Sequence, residues 1–156
     1  MIEIELDGKK VDIVEGSMIM HAAEKAGTYI PHFCYHKKLS IAANCRMCLV
    51  EQGTKDPATG KITMLPKVVP ACQTPAKDGT VFITNSDKVA QCRAQVEEAL
   101  LIDHPIDCPI CDKGGECPLQ TQALCIGRAE SRFHDHKRTF PEPIAIRTLV
   151  LLDRER

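Results

Sequence analysis

Between His104 and Cys117 the chain places one imidazole and three thiols, His104, Cys108, Cys111 and Cys117, at the spacing His-x3-Cys-x2-Cys-x5-Cys. Thiolate and imidazole are soft-to-borderline ligands, suited to an iron–sulfur cluster or to zinc. The Cys-x2-Cys step lets one tight turn aim two sulfurs at one centre. Gly114-Gly115 then frees the backbone to double back, so that Cys117 reaches the same centre. Backbone N–H groups at the two glycines can hydrogen-bond to cluster sulfurs. Pro109 and Pro118, each directly after a candidate ligand, stiffen the loop.

A second thiol set precedes it: Cys34-x10-Cys45-x2-Cys48-x23-Cys72. A lone Cys-x2-Cys also occurs as a thioredoxin-type redox pair, but that pair sits at a helix N-terminus, where the dipole lowers a thiol pKa. Here Leu49-Val50 reads as a strand, which argues against the redox pair. Four thiolates fit zinc or a 2Fe–2S cluster, and the spacing leaves both open. The first gap is longer than in the plant-type Cys-x4-Cys-x2-Cys arrangement. Cys92 and Cys125 stand outside both sets and are read as buried structural thiols.

Nine cysteines in 156 residues are the compositional outlier. Disulfides are the plain alternative, but Met1-Ile2-Glu3-Ile4-Glu5-Leu6 has neither the basic nor the apolar region of a secretory leader. Cysteines at ligand spacing without export point to metal in a reducing compartment. A net charge of −1 gives no reason to expect a nucleic-acid partner, and no stretch has the ~20 apolar residues of a membrane span. With no Trp, two Tyr and four Phe, the core must be aliphatic.

Elements that could position these ligands are readable in order. Ile2, Ile4 and Leu6 alternate with Glu3, Glu5 and Asp7 as a half-buried strand, Asp7-Gly8 suits a tight hairpin, and Val11, Ile13 and Val14 return. Ser17 is a candidate N-cap for a helix with Ile19, Ala22, Ala23 and Ala26 on one face and Gly27 as C-cap. His21 lies off that stripe and is read as solvated. Hairpin, helix and long cysteine loop give the order of a β-grasp domain. Gly53 to Gly60 is a hairpin tip, and Val81-Phe82-Ile83 the last strand of this unit. Ser86-Asp87 opens a helix with Val89, Cys92, Val96, Ala99 and Leu100 on one face, ending near Asp103. Leu119 to Leu124 is a short helix. Arg128 to Lys137, with His134 and His136, reads as a solvated polar run. Pro141 and Pro143 mark a boundary, and Ile144 to Leu152 reads as one strand.

Taken together, Pro31-His32-Phe33-Cys34, Cys45-Arg46-Met47-Cys48-Leu49-Val50, Ala71-Cys72-Gln73-Thr74-Pro75 and the motif from His104 through Gln120 resemble the N-terminal region of a known family. That family is the large iron–sulfur subunit of the NADH:quinone oxidoreductases (respiratory complex I). The resemblance covers essentially the whole chain, and it outweighs the zinc alternative. It implies an α+β fold: a β-grasp ferredoxin-like 2Fe–2S domain at 1–84, a bridging helix at 85–103, a small 4Fe–4S domain with one His and three Cys ligands at 104–145, and the start of a further domain at 146–156. Cys34, Cys45, Cys48 and Cys72 would ligate one 2Fe–2S cluster. His104, Cys108, Cys111 and Cys117 would ligate one 4Fe–4S cluster. In the family a further Cys-x2-Cys-x2-Cys segment follows a strand like that ending in Asp153-Arg154-Glu155-Arg156, so a third cluster is not expected in this chain.

The resemblance further implies electron relay from a flavin-bearing NADH subunit toward quinone, with other peripheral-arm subunits as partners. Its place would be the cytoplasmic side of the cell membrane, peripheral and within a complex, or the mitochondrial matrix side in a eukaryote. No substrate site of its own is expected, because Gly114-Gly115 lacks the strand-to-helix context of a dinucleotide loop. Two other readings remain: a small diaphorase subunit of an NAD-linked hydrogenase or formate dehydrogenase, and a structural zinc module that mediates contacts. Replacing one thiolate by neutral His104 removes a negative charge and should raise the cluster potential, while Asp103, Asp107, Asp112 and Glu116 would act the other way if close and poorly solvated.

Overall fold

In the computed structural model, which describes residues 1–128, 130–137 and 144–152, the chain forms two compact units, Met1–Val96 and Glu97–Arg156. The first opens with the expected hairpin of β1 (Ile2–Leu6) and β2 (Lys9–Ile13), paired antiparallel from Ile2↔Ile13 to Leu6↔Lys9. Asp7 at φ 49° and Gly8 at φ 77° both turn left-handed, as a two-residue hairpin requires. Ile4, Leu6, Val11 and Ile13 face inward, so the alternation of the sequence becomes one buried sheet face.

Helix α1 (Ile19–Ala26) lays Ile19, Met20, Ala22 and Ala23 on that face and ends at Gly27, whose φ of 69° makes the left-handed cap. Ser17 is not its N-cap. Met18 holds that position without a side-chain cap, and the N–H groups of Ile19 and Met20 are taken by the carbonyls of Thr74 and Ala71, both at 3.1 Å. The turn that carries Cys72 therefore does the capping, a long-range device that a local sequence pattern does not reveal.

Strands β3 (Leu49–Lys55) and β4 (Ile62–Pro70) form a hairpin, and β5 (Thr80–Ile83) closes the sheet in the order β2-β1-β5-β3-β4. β1 and β5 run parallel (Leu6↔Phe82), and every other neighbouring pair is antiparallel. Phe82 is fully buried among Ile4, Leu6, Ile19 and Val50, and the same cluster contains Cys48 and Cys72. Two of the first set of thiols are thus set in an aliphatic core.

Helix α2 (Asp87–Leu101) starts as expected, with the Ser86 hydroxyl accepting from the Val89 N–H at 3.2 Å. Its buried face differs from the expected one. Val89, Arg93 and Glu97 are buried at i, i+4, i+8, Cys92 and Val96 are half-buried, and Ala99 and Leu100 are exposed. The remaining elements are a 3-10 turn (Cys108–Ile110), α3 (Pro118–Ile126), and β6 (Ile144–Arg147) paired with β7 (Val150–Leu152). The single strand expected over Ile144–Leu152 is this hairpin. Its turn at Thr148-Leu149 carries no Gly, Pro, Asn or Asp, so nothing in the local chemistry announces it. The boundary at Pro141 and Pro143, and the end of the strand at Asp153-Arg154-Glu155-Arg156, lie outside the described residues. No helix among the described residues is long and apolar enough to cross a membrane.

Candidate metal centres

The first thiol set is positioned by the base of the β3–β4 hairpin and by the loop that leads into it. Leu49 pairs with Pro70, and the Cys48 carbonyl accepts from the Ala71 N–H at 2.8 Å, which brings Cys48 and Cys72 side by side. Cys34 and Cys45 approach from the loop after α1. Ala43 (φ 52°) and Arg46 (φ 60°) are left-handed there, conformations that cost a non-glycine residue about 1 kcal/mol or more and are held by the surrounding structure. That turn delivers donors. Burial works to raise the Cys45 pKa, yet the backbone N–H groups of Cys34, Met47 and Phe33 and the Cys34 thiol bring it below the ordinary thiol value.

Cys72 shows the opposite extreme. Burial first, then the Cys48 thiol as hydrogen-bond partner, then the negative charges that Cys48, Cys34 and Cys45 would carry push it up to about 12. The other three thiols therefore all lie within electrostatic reach of Cys72, and a partly buried set of this kind ionises fully only against a compensating cation. This suits the donor requirement of a 2Fe–2S centre: four sulfurs, Cys48 and Cys72 buried and Cys34 and Cys45 half-buried, with backbone N–H groups directed at Cys45. Among the described residues no three His, Cys, Asp or Glu close around a single ion. A binuclear centre divides its four thiolates two per iron and asks for no such common point.

Beside this set Tyr35 is buried, its hydroxyl without a partner among the described residues. Its ring meets His32 edge-on at 5.5 Å and His21 at 6.3 Å. His21 itself is exposed, as expected.

The second set rides on one loop of the second unit. The 3-10 turn places Cys108 and Cys111 one turn apart (Cys111 N–H to the Cys108 carbonyl, 3.3 Å), and the Gly114 N–H donates to the Cys111 carbonyl at 2.9 Å. A Cβ at Gly114 would lie 2.5 Å from the Cys108 carbonyl oxygen, and Gly115 is left-handed at φ 86°. The doubling-back read from Gly114-Gly115 is thus present. Cys117 then caps α3, with Pro118 in its first turn. His104, Cys108, Cys111 and Cys117 are all half-buried, while Pro109, Ile110 and Asp112–Glu116 point outward. The chemistry of the donor set, one imidazole and three half-buried thiols on one doubled-back loop, suits a 4Fe–4S cluster. Asp103, Asp112 and Glu116 are exposed, Glu116 paired with Lys113 at 3.1 Å, so water screens most of the acidic charge around this loop.

Several residues the sequence reading passed over hold these loops. Arg93 donates to the Leu49 carbonyl beside Cys48. Lys137 donates to the carbonyls of Leu101 (2.7 Å) and His104 (2.6 Å), and Arg132 grips Glu98 through two bonds of 2.6 Å. The run Arg128–Lys137 is therefore partly structural, although His134 and His136 are exposed as expected. Cys125, expected to be buried, is exposed on α3.

Residues 1–87 match the family model described as a 2Fe-2S iron-sulfur cluster binding domain. The chain belongs to this family. Residues 93–132 match a second model, the NADH-ubiquinone oxidoreductase-G iron-sulfur binding region, and the two models together support one 2Fe–2S and one 4Fe–4S cluster. Among similar proteins, the NADH-quinone oxidoreductase G subunit of Rickettsia felis is 45% identical over 142 residues, 91% of this chain and 20% of that protein. Its counterpart in Rickettsia typhi is 46% identical over the same shares. This 2Fe–2S family member thus spans about a fifth of the length of these relatives. It also resembles the crystal structure of an NAD+-reducing NiFe-hydrogenase in its H2-reduced state, with a TM-score of 0.73 and 29% identity, over 89% of this chain and 54% of that one.

Proposed function

We propose that this chain is an electron-relay module in which Cys34, Cys45, Cys48 and Cys72 hold the 2Fe–2S cluster and His104, Cys108, Cys111 and Cys117 hold the 4Fe–4S cluster. It works as part of an NADH:quinone oxidoreductase, carrying electrons from the NADH-oxidising flavin subunit toward quinone. The observation that carries this reading is the pairing at the base of the β3–β4 hairpin that sets Cys48 beside Cys72 in the core, with Cys34 and Cys45 close enough to act on Cys72. Each cluster supplies a one-electron store with little rearrangement on reduction. The protein's part is to fix the ligands, keep water out and set the local charge. Burial of Cys48 and Cys72 in the aliphatic core does the second, and the N–H groups around Cys45 supply partial positive charge for the third. NADH chemistry itself would take place on the partner.

A feature of the surface supports a partner close to the first centre. From Lys25 to Val50 the sequence contains Lys25, Lys37, Lys38 and Arg46 and no Asp or Glu, in a chain of net charge −1. All four cations are exposed, with Leu39 and Tyr29 exposed among them. A partner face that carries carboxylates around an apolar patch would complement it. The hydrogenase resemblance gives the second reading, a diaphorase-type subunit. The higher identity to the quinone oxidoreductase subunits favours the first.

Single Cys→Ser substitutions test the ligand assignment. Cys45→Ser should abolish or strongly alter the binuclear EPR signal and leave a tetranuclear one, and Cys111→Ser should do the reverse. Both signals unchanged in either variant would contradict the assignment.

A further inference from the structure

Arg93 sits on α2 with 9% of its surface exposed, and its guanidinium donates to the Leu49 carbonyl from Nε at 3.2 Å and from Nη2 at 2.7 Å. That carbonyl is free for it because the pairing of β3 with β5 begins only at Glu51, and because β3 faces β4 through the Cys48 carbonyl at this point. Satisfying one carbonyl needs only a neutral donor. The chain instead buries a guanidinium, which stays charged at every physiological pH and is costly to desolvate. Burial works to lower its pKa, while negative charge on Cys48 and on Asp7 works to raise it, so both lie within its electrostatic reach. Asp7 is already engaged by Thr84, which donates to its carboxylate from the backbone N–H at 2.7 Å and from the hydroxyl at 2.6 Å. Cys48, a candidate ligand hydrogen-bonded to Cys72, lies one residue from the carbonyl that Arg93 grips, so the buried guanidinium is placed beside the first candidate centre.

We propose that Arg93 is a positioning residue that sets the reduction potential of the first centre, its buried charge held beside Cys48 by the Leu49 carbonyl. The inference rests on the assignment of Cys34, Cys45, Cys48 and Cys72 as ligands of the 2Fe–2S cluster. Reduction adds one electron, hence one negative charge, to that centre, and a cation in a poorly solvated position stabilises the reduced form more than the oxidised one. Arg93 therefore raises the potential. Its two hydrogen bonds also fix the backbone where the ligand loop enters β3, so the charge and the ligand keep a constant separation.

The test is an EPR-monitored potentiometric titration of the binuclear signal in the full chain, for wild type, Arg93→Lys, Arg93→Gln and Arg93→Met. At the wild-type midpoint, the ratio of reduced to oxidised cluster should fall about tenfold in Arg93→Gln and Arg93→Met, a shift of about 59 mV to more negative potential for one electron. Arg93→Lys, which keeps the charge, should stay within about twofold of wild type. Equal midpoints in wild type, Arg93→Gln and Arg93→Met would overturn the proposal. So would Arg93→Lys matching Arg93→Gln, since the effect would then belong to shape and hydrogen bonding. If Arg93→Met fails to assemble the cluster, the Lys and Gln pair decides. If Arg93→Lys also fails, the role is in holding the fold and the proposal falls. A wild type without a binuclear signal would instead overturn the ligand assignment, and the proposal with it.

Discussion

Glu97 is fully buried on α2, and neither of its carboxylate oxygens has a partner among the described residues. Burial raises its pKa to about 7. A carboxyl in an unfolded chain titrates near 4.3, so between roughly pH 4.5 and 7 the folded state holds a proton that the unfolded state has released. The native state binds more protons in that window, and stability falls as pH rises through it. Above about pH 7 the full penalty, on the order of 3–4 kcal/mol, is present, and below about pH 4 it vanishes. Glu97→Gln removes it. Urea unfolding of both proteins from pH 5 to 8 should show the variant gaining on wild type as pH rises. Curves that stay parallel would contradict this reading of Glu97. At this scale the two candidate ligand sets could be picked out because thiol spacing is written in the sequence itself. Arg93 and Glu97 could not. A charged residue on a helix is read as exposed, and what buries Arg93 lies 44 residues away at Leu49.

At the scale of elements, the loops that carry the candidate ligands are tied to the regular structure by backbone hydrogen bonds. The Cys72 turn caps α1 through Ala71 and Thr74, and the His104–Cys117 loop folds back on Gly114. Gly114→Ala would put a methyl 2.5 Å from the Cys108 carbonyl oxygen and 3.1 Å from that of Cys111. Backbone must move to relieve it, and it moves the two candidate ligands. The expected result is loss of the tetranuclear EPR signal with the binuclear one retained. Wild-type intensity in both signals would show that the loop does not need the close approach. The β1–β2 hairpin, the Gly27 cap and the Ser86 cap were readable because each depends on residues next to it. The Ser17 cap and the single strand over Ile144–Leu152 were misread. The α1 N–H groups are satisfied from across the fold, and the β6–β7 turn uses no turn-forming residue.

On the scale of the whole molecule, each compact unit carries one candidate centre. The thiols of the first candidate centre lie partly within an aliphatic core, and those of the second are half-buried on a short loop. The β-grasp order of the first unit was legible from hairpin, helix and cysteine loop. The parallel pairing of β1 with β5 was not, because it joins residues far apart in the chain, such as Leu6 and Phe82. Two candidate centres in two units would give a chain that stores two electrons at separate sites, as the proposed relay requires. The most direct test of that claim is low-temperature EPR of anaerobically purified, dithionite-reduced protein, with iron and acid-labile sulfide counted on the same sample. The relay reading predicts one binuclear and one tetranuclear signal with about six irons per chain. A colourless protein with stoichiometric zinc, no labile sulfide and no signal would contradict it.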